Sequence, residues 1–122
     1  MKENILKDKS LAFAVRVVNL CKFLMFEHKE YILSKQILRS GTSIGANICE
    51  ASFGESKPDF IHKLAISQKE INETLYWLEL LKLTSYITEL QYESLNNEAI
   101  ELLKLITSSI KTAKRNIINV NH

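Results

Sequence analysis

The chain has 122 residues, 46% of them hydrophobic and 25% charged, which suits one globular domain and excludes a disordered or collagen-like chain. Three glycines and one proline are too few for a β-sandwich or barrel, which needs a turn residue about every 8–12 positions. The formal net charge of +2 does not by itself indicate a nucleic-acid partner, and no signal peptide or apolar membrane span is visible, so we expect a cytoplasmic protein.

The first helix is predicted over residues 9–28 and is apolar on two sides. Its helically spaced rows are Leu11, Val15, Val18 and Met25, and Phe13, Val17, Leu20 and Leu24. A surface helix of a monomer normally carries one apolar stripe, and no helix is surrounded in a four-helix monomer of this size. We therefore predict that the surplus surface, assigned to the Phe13 row, is a subunit interface.

The second helix is predicted over residues 34–53, with Ser34 as its N-cap and Gly54 placed to end it. Two glycines, Gly41 and Gly45, interrupt its interior, where each costs about 1 kcal/mol relative to alanine. They are four residues apart and therefore share one helix face. This spacing predicts the close approach of a neighbouring backbone.

Capping signals mark the other two helices. The third is predicted over residues 57–84, with Ser56 as the cap and Pro58 in the first turn. The fourth is predicted over residues 89–115, with Thr88 and Gln91 forming a capping box, and the polar residues 116–122 are expected to fray. Short connections between long helices predict an all-α, antiparallel up-down-up-down four-helix bundle in a single domain of residues 1–122.

This topology brings basic residues from both ends of the chain to one end of the bundle. Those residues are Lys2, Lys7, Lys9, Lys111, Lys114 and Arg115, with Glu50, Glu55 and Asp59 diluting their charge. Two interpretations remain open: a solvated basic fringe, or a phosphate-binding surface that a symmetric ring would repeat around its mouth.

The sequence contains little that indicates an enzyme, either as a metal site or as a reactive cysteine. A di-metal carboxylate bundle needs two Glu-x-x-His pairs, and only Asp59 and His62 have that spacing, while Glu70-x-x-Glu73 and Glu98-x-x-Glu101 suit solvated faces. The two cysteines, Cys21 and Cys49, lie in apolar patterns that predict buried, reduced thiols, with a disulfide as the less favoured alternative. We predict no catalytic residue, no metal and no cofactor.

Two polar or aromatic pairs are candidates for contacts. Asn47 and Glu50 lie on one side of the second helix, either as an exposed or register-fixing pair or as a ligand contact. Tyr76 and Trp77 lie off the main apolar row of the third helix, which suits a subunit contact better than a base-stacking platform.

The stretches 39–51, 55–64 and 73–81 resemble the bacterial four-helix-bundle family named after proteins encoded in intervening sequences of large-subunit ribosomal RNA genes. The most specific part is the Ser-Ile-x-Ala-Asn-Ile-x-Glu motif of residues 43–50, and the likeness extends over nearly the whole chain. Within it, Gly41, Ser43, Gly45, Asn47 and Glu50 stand at family-motif and helix-packing positions.

The resemblance implies an antiparallel bundle that assembles into a ring of five. A related branch comprises accessory proteins of diversity-generating retroelements, which implies RNA, DNA or a nucleic-acid enzyme as alternative partners. Gly45 stands where many relatives carry proline, Ala51 where many carry glycine, and Glu55 where many carry a basic residue. We therefore expect a non-enzymatic, homopentameric scaffold or, alternatively, a nucleic-acid-binding protein that uses a basic ring mouth.

Overall fold

The computed structural model describes residues 2–54 and 56–121 and contains four helices. They are α1 (Lys2–His28), α2 (Leu33–Ala51), α3 (Lys57–Leu83) and α4 (Glu89–Asn121). Each helix packs against the next along the chain, and α1 closes the square against α4 with the sparsest of the four contacts. The described residues therefore form an up-down bundle, which confirms the predicted all-α architecture.

The core settles which side of α1 faces inward. Phe13, Val17 and Leu24 are completely buried within the chain, and Leu20 is only 8% exposed. They pack with buried side chains of all three other helices, including Ile44, Ile71 and Ile106. This corrects the assignment of Phe13, Val17, Leu20 and Leu24 to a subunit interface, because side chains that the bundle itself buries cannot contact a second copy.

Helices α1 and α4 are both longer than predicted. Helix α1 begins at Lys2 rather than at residue 9, and Leu6, in the added turns, is buried against the core. Helix α4 continues to Asn121, so the prediction that residues 116–122 fray is wrong through Asn121, while His122 lies outside the described residues. Ala113 is buried just before the predicted end, whereas Ile118 in the extension is 55% exposed, so burial in the core does not account for the added turns.

The caps of α3 and α4 follow the sequence signals. Ser56 accepts a hydrogen bond from the backbone N–H of Asp59 at 3.2 Å. The backbone N–H of Thr88 donates to Oε1 of Gln91 at 2.8 Å, and the backbone N–H of Gln91 donates to Oγ1 of Thr88 at 3.1 Å. Both capping predictions are confirmed.

The start of α2 differs from the prediction. Ser34 lies inside the helix, and the carboxylate of Glu30 accepts the backbone N–H groups of Ile32, Leu33 and Ser34 at 2.8–3.0 Å. Glu30 reaches these groups because α1 ends at His28 and Lys29 adopts a left-handed conformation with φ of 54°. A carboxylate from the connection therefore takes the capping role assigned to Ser34.

Buried hydroxyl groups join α2 to α3. Oγ1 of Thr74 donates to Oγ of Ser40 at 2.9 Å, and Oγ of Ser67 donates to the backbone carbonyl of Ile44 at 2.9 Å. Both bonds lie in the interior, where an unpaired hydroxyl would be costly. No helix among the described residues is long and apolar enough to cross a membrane.

Candidate interaction surfaces

The two interior glycines of α2 face α1 at close range. A Cβ on Gly41 would lie 2.8 Å from Cγ1 of Val17, and a Cβ on Gly45 would lie 3.2 Å from Oγ of Ser10 and 3.5 Å from its backbone carbonyl carbon. The predicted close approach of a neighbouring backbone is found at Gly45, whereas the close neighbour of Gly41 is the side chain of Val17. Gly41 and Gly45 therefore set the spacing of α1 and α2.

The polar residues of the same motif are engaged within the chain. Oγ of Ser43 donates to the carbonyl of Arg39 at 2.6 Å, and Nδ2 of Asn47 donates to the carbonyl of Ser43 at 2.9 Å. Glu50 is exposed and forms an ion pair with Lys63 of α3 at 3.3 Å. Asn47 and Glu50 do not converge on a common point, which suits the structural alternative for this pair.

The solvent-facing side of α1 carries the surplus apolar surface. Leu11, Val15 and Phe26 are 67%, 54% and 68% exposed, and we call them the outer α1 face. Val18 and Met25, the other two members of the predicted Leu11 row, are half-buried. The prediction of excess apolar surface on α1 thus holds for the Leu11 row and not for the Phe13 row.

A groove of about 260 Å³ runs between α1 and α2 next to this face. Small residues, Ala14, Gly45 and Ala46, leave the space, and Cys49 lines it. Cys49 is exposed, so the prediction that both cysteines are buried is wrong for Cys49. Its neighbour Ile48 occupies the buried side of the same turn of α2, which leaves Cys49 facing solvent.

Cys21 lies inside the bundle as predicted, and its Sγ donates to the carbonyl of Ser34 at 3.2 Å. Burial, with the charge of Glu30 as a smaller cause, raises the pKa of the Cys21 thiol to about 11. Both cysteines are free thiols, which excludes the disulfide alternative in this conformation. At neutral pH the Cys21 thiol is protonated and a poor nucleophile.

Tyr76 and Trp77 form an edge-to-face pair with ring centroids 5.0 Å apart. Tyr76 is 60% exposed, whereas Trp77 packs partly against the core. The Nε1 of Trp77 is buried and has no acceptor among the described residues. The pair therefore offers one exposed phenol ring rather than a stacking platform of two rings.

The predicted basic end does not form a single patch. Lys9 forms an ion pair with Glu101 at 2.6 Å, and the ammonium of Lys7 lies 5.8 Å from the ring centre of Phe53. Lys111, Lys114 and Arg115 are exposed on α4, where Lys111 and Arg115 line a groove of about 540 Å³ with Lys104. The side chain of Lys2 and all of Glu55 lie outside the described residues.

Lys104 is not among the basic residues predicted from the sequence, because it lies away from both ends of the chain. Its spacing of seven residues from Lys111, which is two helical turns, could have revealed it. The structure thus moves the basic surface from the end of the bundle to the side of α4.

The acidic residues considered as metal ligands serve ion pairs. Glu70 and Glu73 both bind Arg39, and Glu98 binds Arg16 at 2.7 Å. Throughout residues 2–54 and 56–121, no group of three or more His, Cys, Asp or Glu side chains is arranged to hold a metal ion. Asp59 and His62 have no third ligand beside them in that part of the chain.

Comparison with known proteins identifies the family of this bundle. The sequence model of the 23S rRNA-intervening sequence proteins matches residues 2–108, which include α1, α2, α3 and most of α4. The chain belongs to the 23S rRNA-intervening sequence protein family. In this intervening-sequence protein the Ser43–Glu50 motif has a packing role. Gly45 contacts Ser10 of α1, and Ile44 is buried in the core.

A crystal structure from Bacteroides thetaiotaomicron resembles this intervening-sequence protein closely. That protein is described as one of unknown function from the S23 ribosomal protein family, and it is 65% identical, with a TM-score of 0.90. The match covers 91% of this chain and 99% of the other. No curated protein matches the chain.

Proposed function

We propose that this intervening-sequence protein is a non-enzymatic scaffold that assembles from several copies of itself. The outer α1 face carries the proposal. Leu11, Val15 and Phe26 lie at helical spacing, each more than half exposed, over about 22 Å of the helix axis. Fully burying one such side chain is worth about 1.5–3 kcal/mol, so a contact made by all three is a substantial driving force for association.

Two further features support assembly into a closed ring. Contacts between non-equivalent surfaces of identical chains form rings when the rotation closes. The resemblance described above implies five copies, and the groove between α1 and α2 continues the outer α1 face as a concave apolar surface. A pentamer that uses the outer α1 face on one side of each subunit is the arrangement that we propose.

Light scattering combined with size exclusion tests the proposal. We expect a mass several times 14.0 kDa for the natural chain and a monomer mass for the Leu11→Gln/Val15→Gln variant, which should keep its helical circular dichroism. Leu90→Gln is the control, because Leu90 is even more exposed, at 78%, but lies at the start of α4. A monomer mass for the natural chain at micromolar concentration would overturn the scaffold, and an assembled double variant would overturn this interface.

The charge of the second half of α4 favours a second candidate, a nucleic-acid-binding accessory protein. After Glu101 the sequence contains four Lys or Arg residues and no Asp or Glu. The candidate is tested by retention on nucleic acid, which should fall steeply with salt and disappear when Lys111, Lys114 and Arg115 are replaced by Gln. Retention that is absent, or insensitive to salt, would contradict it.

A further inference from the structure

The second half of α4 carries a set of cations that have no acidic partner among the side chains that the structure describes. Lys104, Lys111, Lys114 and Arg115 are all exposed, and we call them the α4 stripe. Five other basic residues, Lys9, Arg16, Arg39, Lys63 and Lys82, form ion pairs with glutamates. Within the described residues no ion pair involves the α4 stripe, so its charge remains available to an external anion.

The spacing of the α4 stripe suits an extended ligand. Its members span eleven residue steps, which is about 16 Å along the helix axis. Lys104, Lys111 and Arg115 line one groove of about 540 Å³ together with Thr107 and Thr112. A single phosphate would contact one end of this surface only, whereas a phosphate backbone could contact all of it.

Hydroxyl groups in the groove add hydrogen-bonding capacity. Oγ1 of Thr107 accepts a hydrogen bond from Nε2 of Gln68 at 2.9 Å, which leaves the hydroxyl proton of Thr107 to donate. Threonine and lysine side chains of this kind contact phosphate and sugar, which positions a nucleic acid without reading its sequence. The groove contains no Asn or Gln, the side chains that recognise adenine in a bidentate manner.

The absence of aromatic residues distinguishes a duplex from a single strand as ligand. From Glu93 to the end of the chain the sequence contains no Phe, Tyr or Trp. Sequence-tolerant binding of single strands depends on bases stacked on aromatic side chains, worth about 1–3 kcal/mol per base. A duplex needs no such platform, and it presents about twice the charge of one strand over the same length.

We propose that the α4 stripe binds the sugar–phosphate backbone of double-stranded nucleic acid independently of its sequence. This inference rests on the second candidate function above and names its ligand and its site. Assembly of several copies would repeat the stripe and raise the apparent affinity through multivalency.

Fluorescence anisotropy with the full chain tests the inference. The probes are a labelled DNA duplex of about two helical turns, the RNA duplex of the same sequence, either single strand, and a scrambled duplex. We expect at least one duplex type to bind more tightly than its strands, with no effect of scrambling. The logarithm of the binding constant should fall with the logarithm of salt with a slope of about −3 to −4 per chain, as four phosphate contacts require.

Charge-removing variants locate the site. Lys111→Gln/Arg115→Gln should reduce the slope by about two, one for each cation removed. The matched control is Lys29→Gln/Lys35→Gln, which removes the same charge from exposed residues at the opposite end of the bundle and should leave the slope unchanged. Equal losses in both variants would overturn the assignment to the α4 stripe.

The outcomes separate the inference from the function on which it rests. Tighter binding of the single strand would overturn the duplex inference and leave the nucleic-acid function standing. Failure to bind any of the probes would overturn both. Binding to vesicles of acidic phospholipid without binding to either duplex would also overturn both, since it would identify a membrane surface as the polyanion.

Discussion

A Cβ atom on Gly41 would lie 2.8 Å from both γ carbons of Val17. Gly41 and Val17 are both buried, and the β-branched side chain of valine has little rotational freedom with which to move aside. The contact therefore fixes the distance between α1 and α2, and with it the side of α1 that faces the core.

Gly41→Ala should destabilise the protein despite the better helix propensity of alanine. The gain in propensity is about 1 kcal/mol, whereas overpacking of a tight core contact costs about 1–3 kcal/mol. We expect a net loss of about 1 kcal/mol in the free energy of unfolding, measured in urea. Val17→Ala makes room for the new methyl group, so the double variant should lose less than the sum of the two single variants.

Gly45→Ala is the control for this prediction. Its nearest neighbour would be Oγ of Ser10 at 3.2 Å, the end of a small side chain that can rotate. The loss should therefore be smaller than for Gly41→Ala. If Gly41→Ala unfolds at a higher urea concentration than the natural chain, the close packing at Val17 is refuted.

Local signals account for the parts of the fold that the sequence predicted well. The caps at Ser56 and at Thr88 with Gln91 involve residues three apart, and the pairing of Gly41 with Gly45 lies on one helix face. Such features depend on the helix alone. They could therefore be found without knowledge of the neighbouring helices.

The choice between the two apolar rows of α1 could not be made locally. Leu11 and Phe13 point about 160° apart around the helix, and both rows have helical periodicity. Packing against the other three helices, of which the contact of Val17 with Gly41 in α2 is one part, decides which row is buried. The same reason applies to Cys49, whose exposure depends on the orientation of α2 against α1 and α3.

The capping of α2 by Glu30 makes stability depend on pH. Partial burial acts to raise the pKa of Glu30, but hydrogen bonds from the backbone N–H groups of Leu33, Ser34 and Ile32 outweigh it and hold the pKa below its ordinary value of 4.5. A carboxylate with a lowered pKa in the folded state contributes stability above the ordinary pKa. That contribution disappears as the pH falls through the folded-state value.

Glu30→Gln should therefore cost about 1 kcal/mol at neutral pH, the usual size of a lost cap. The difference from the natural chain should shrink as the pH falls from 4.5, the ordinary pKa that Glu30 has in the unfolded chain, through its lower folded-state pKa. Unfolding in urea at several pH values measures it. Glu27→Gln, which changes an exposed glutamate near the end of α1, serves as the control. The capping role would be contradicted if Glu30→Gln differed from the natural chain by the same amount at all pH values.

The two rows of α1 should respond in opposite ways to truncation. Phe13→Ala removes a completely buried ring and should cost about 3–5 kcal/mol in the free energy of unfolding. Leu11→Ala should change the stability of the monomer by no more than about 0.5 kcal/mol, because the side chain is 67% exposed. Measurement at low protein concentration separates monomer stability from assembly. A larger loss for Leu11→Ala than for Phe13→Ala would reverse the orientation of α1.

Thiol chemistry offers a check on the orientation of both α1 and α2. Cys49 is exposed, whereas Cys21 is buried with its pKa raised to about 11 by burial and by the charge of Glu30. Because the thiolate is the reactive form, a thiol reagent at neutral pH should label Cys49 in the folded monomer, at low protein concentration, and Cys21 only after unfolding. Cys49→Ser should abolish labelling of the folded chain, while Cys21→Ser should leave it unchanged. Labelling of Cys21 before Cys49 would mean that the bundle packs α1 and α2 with different faces from those described here.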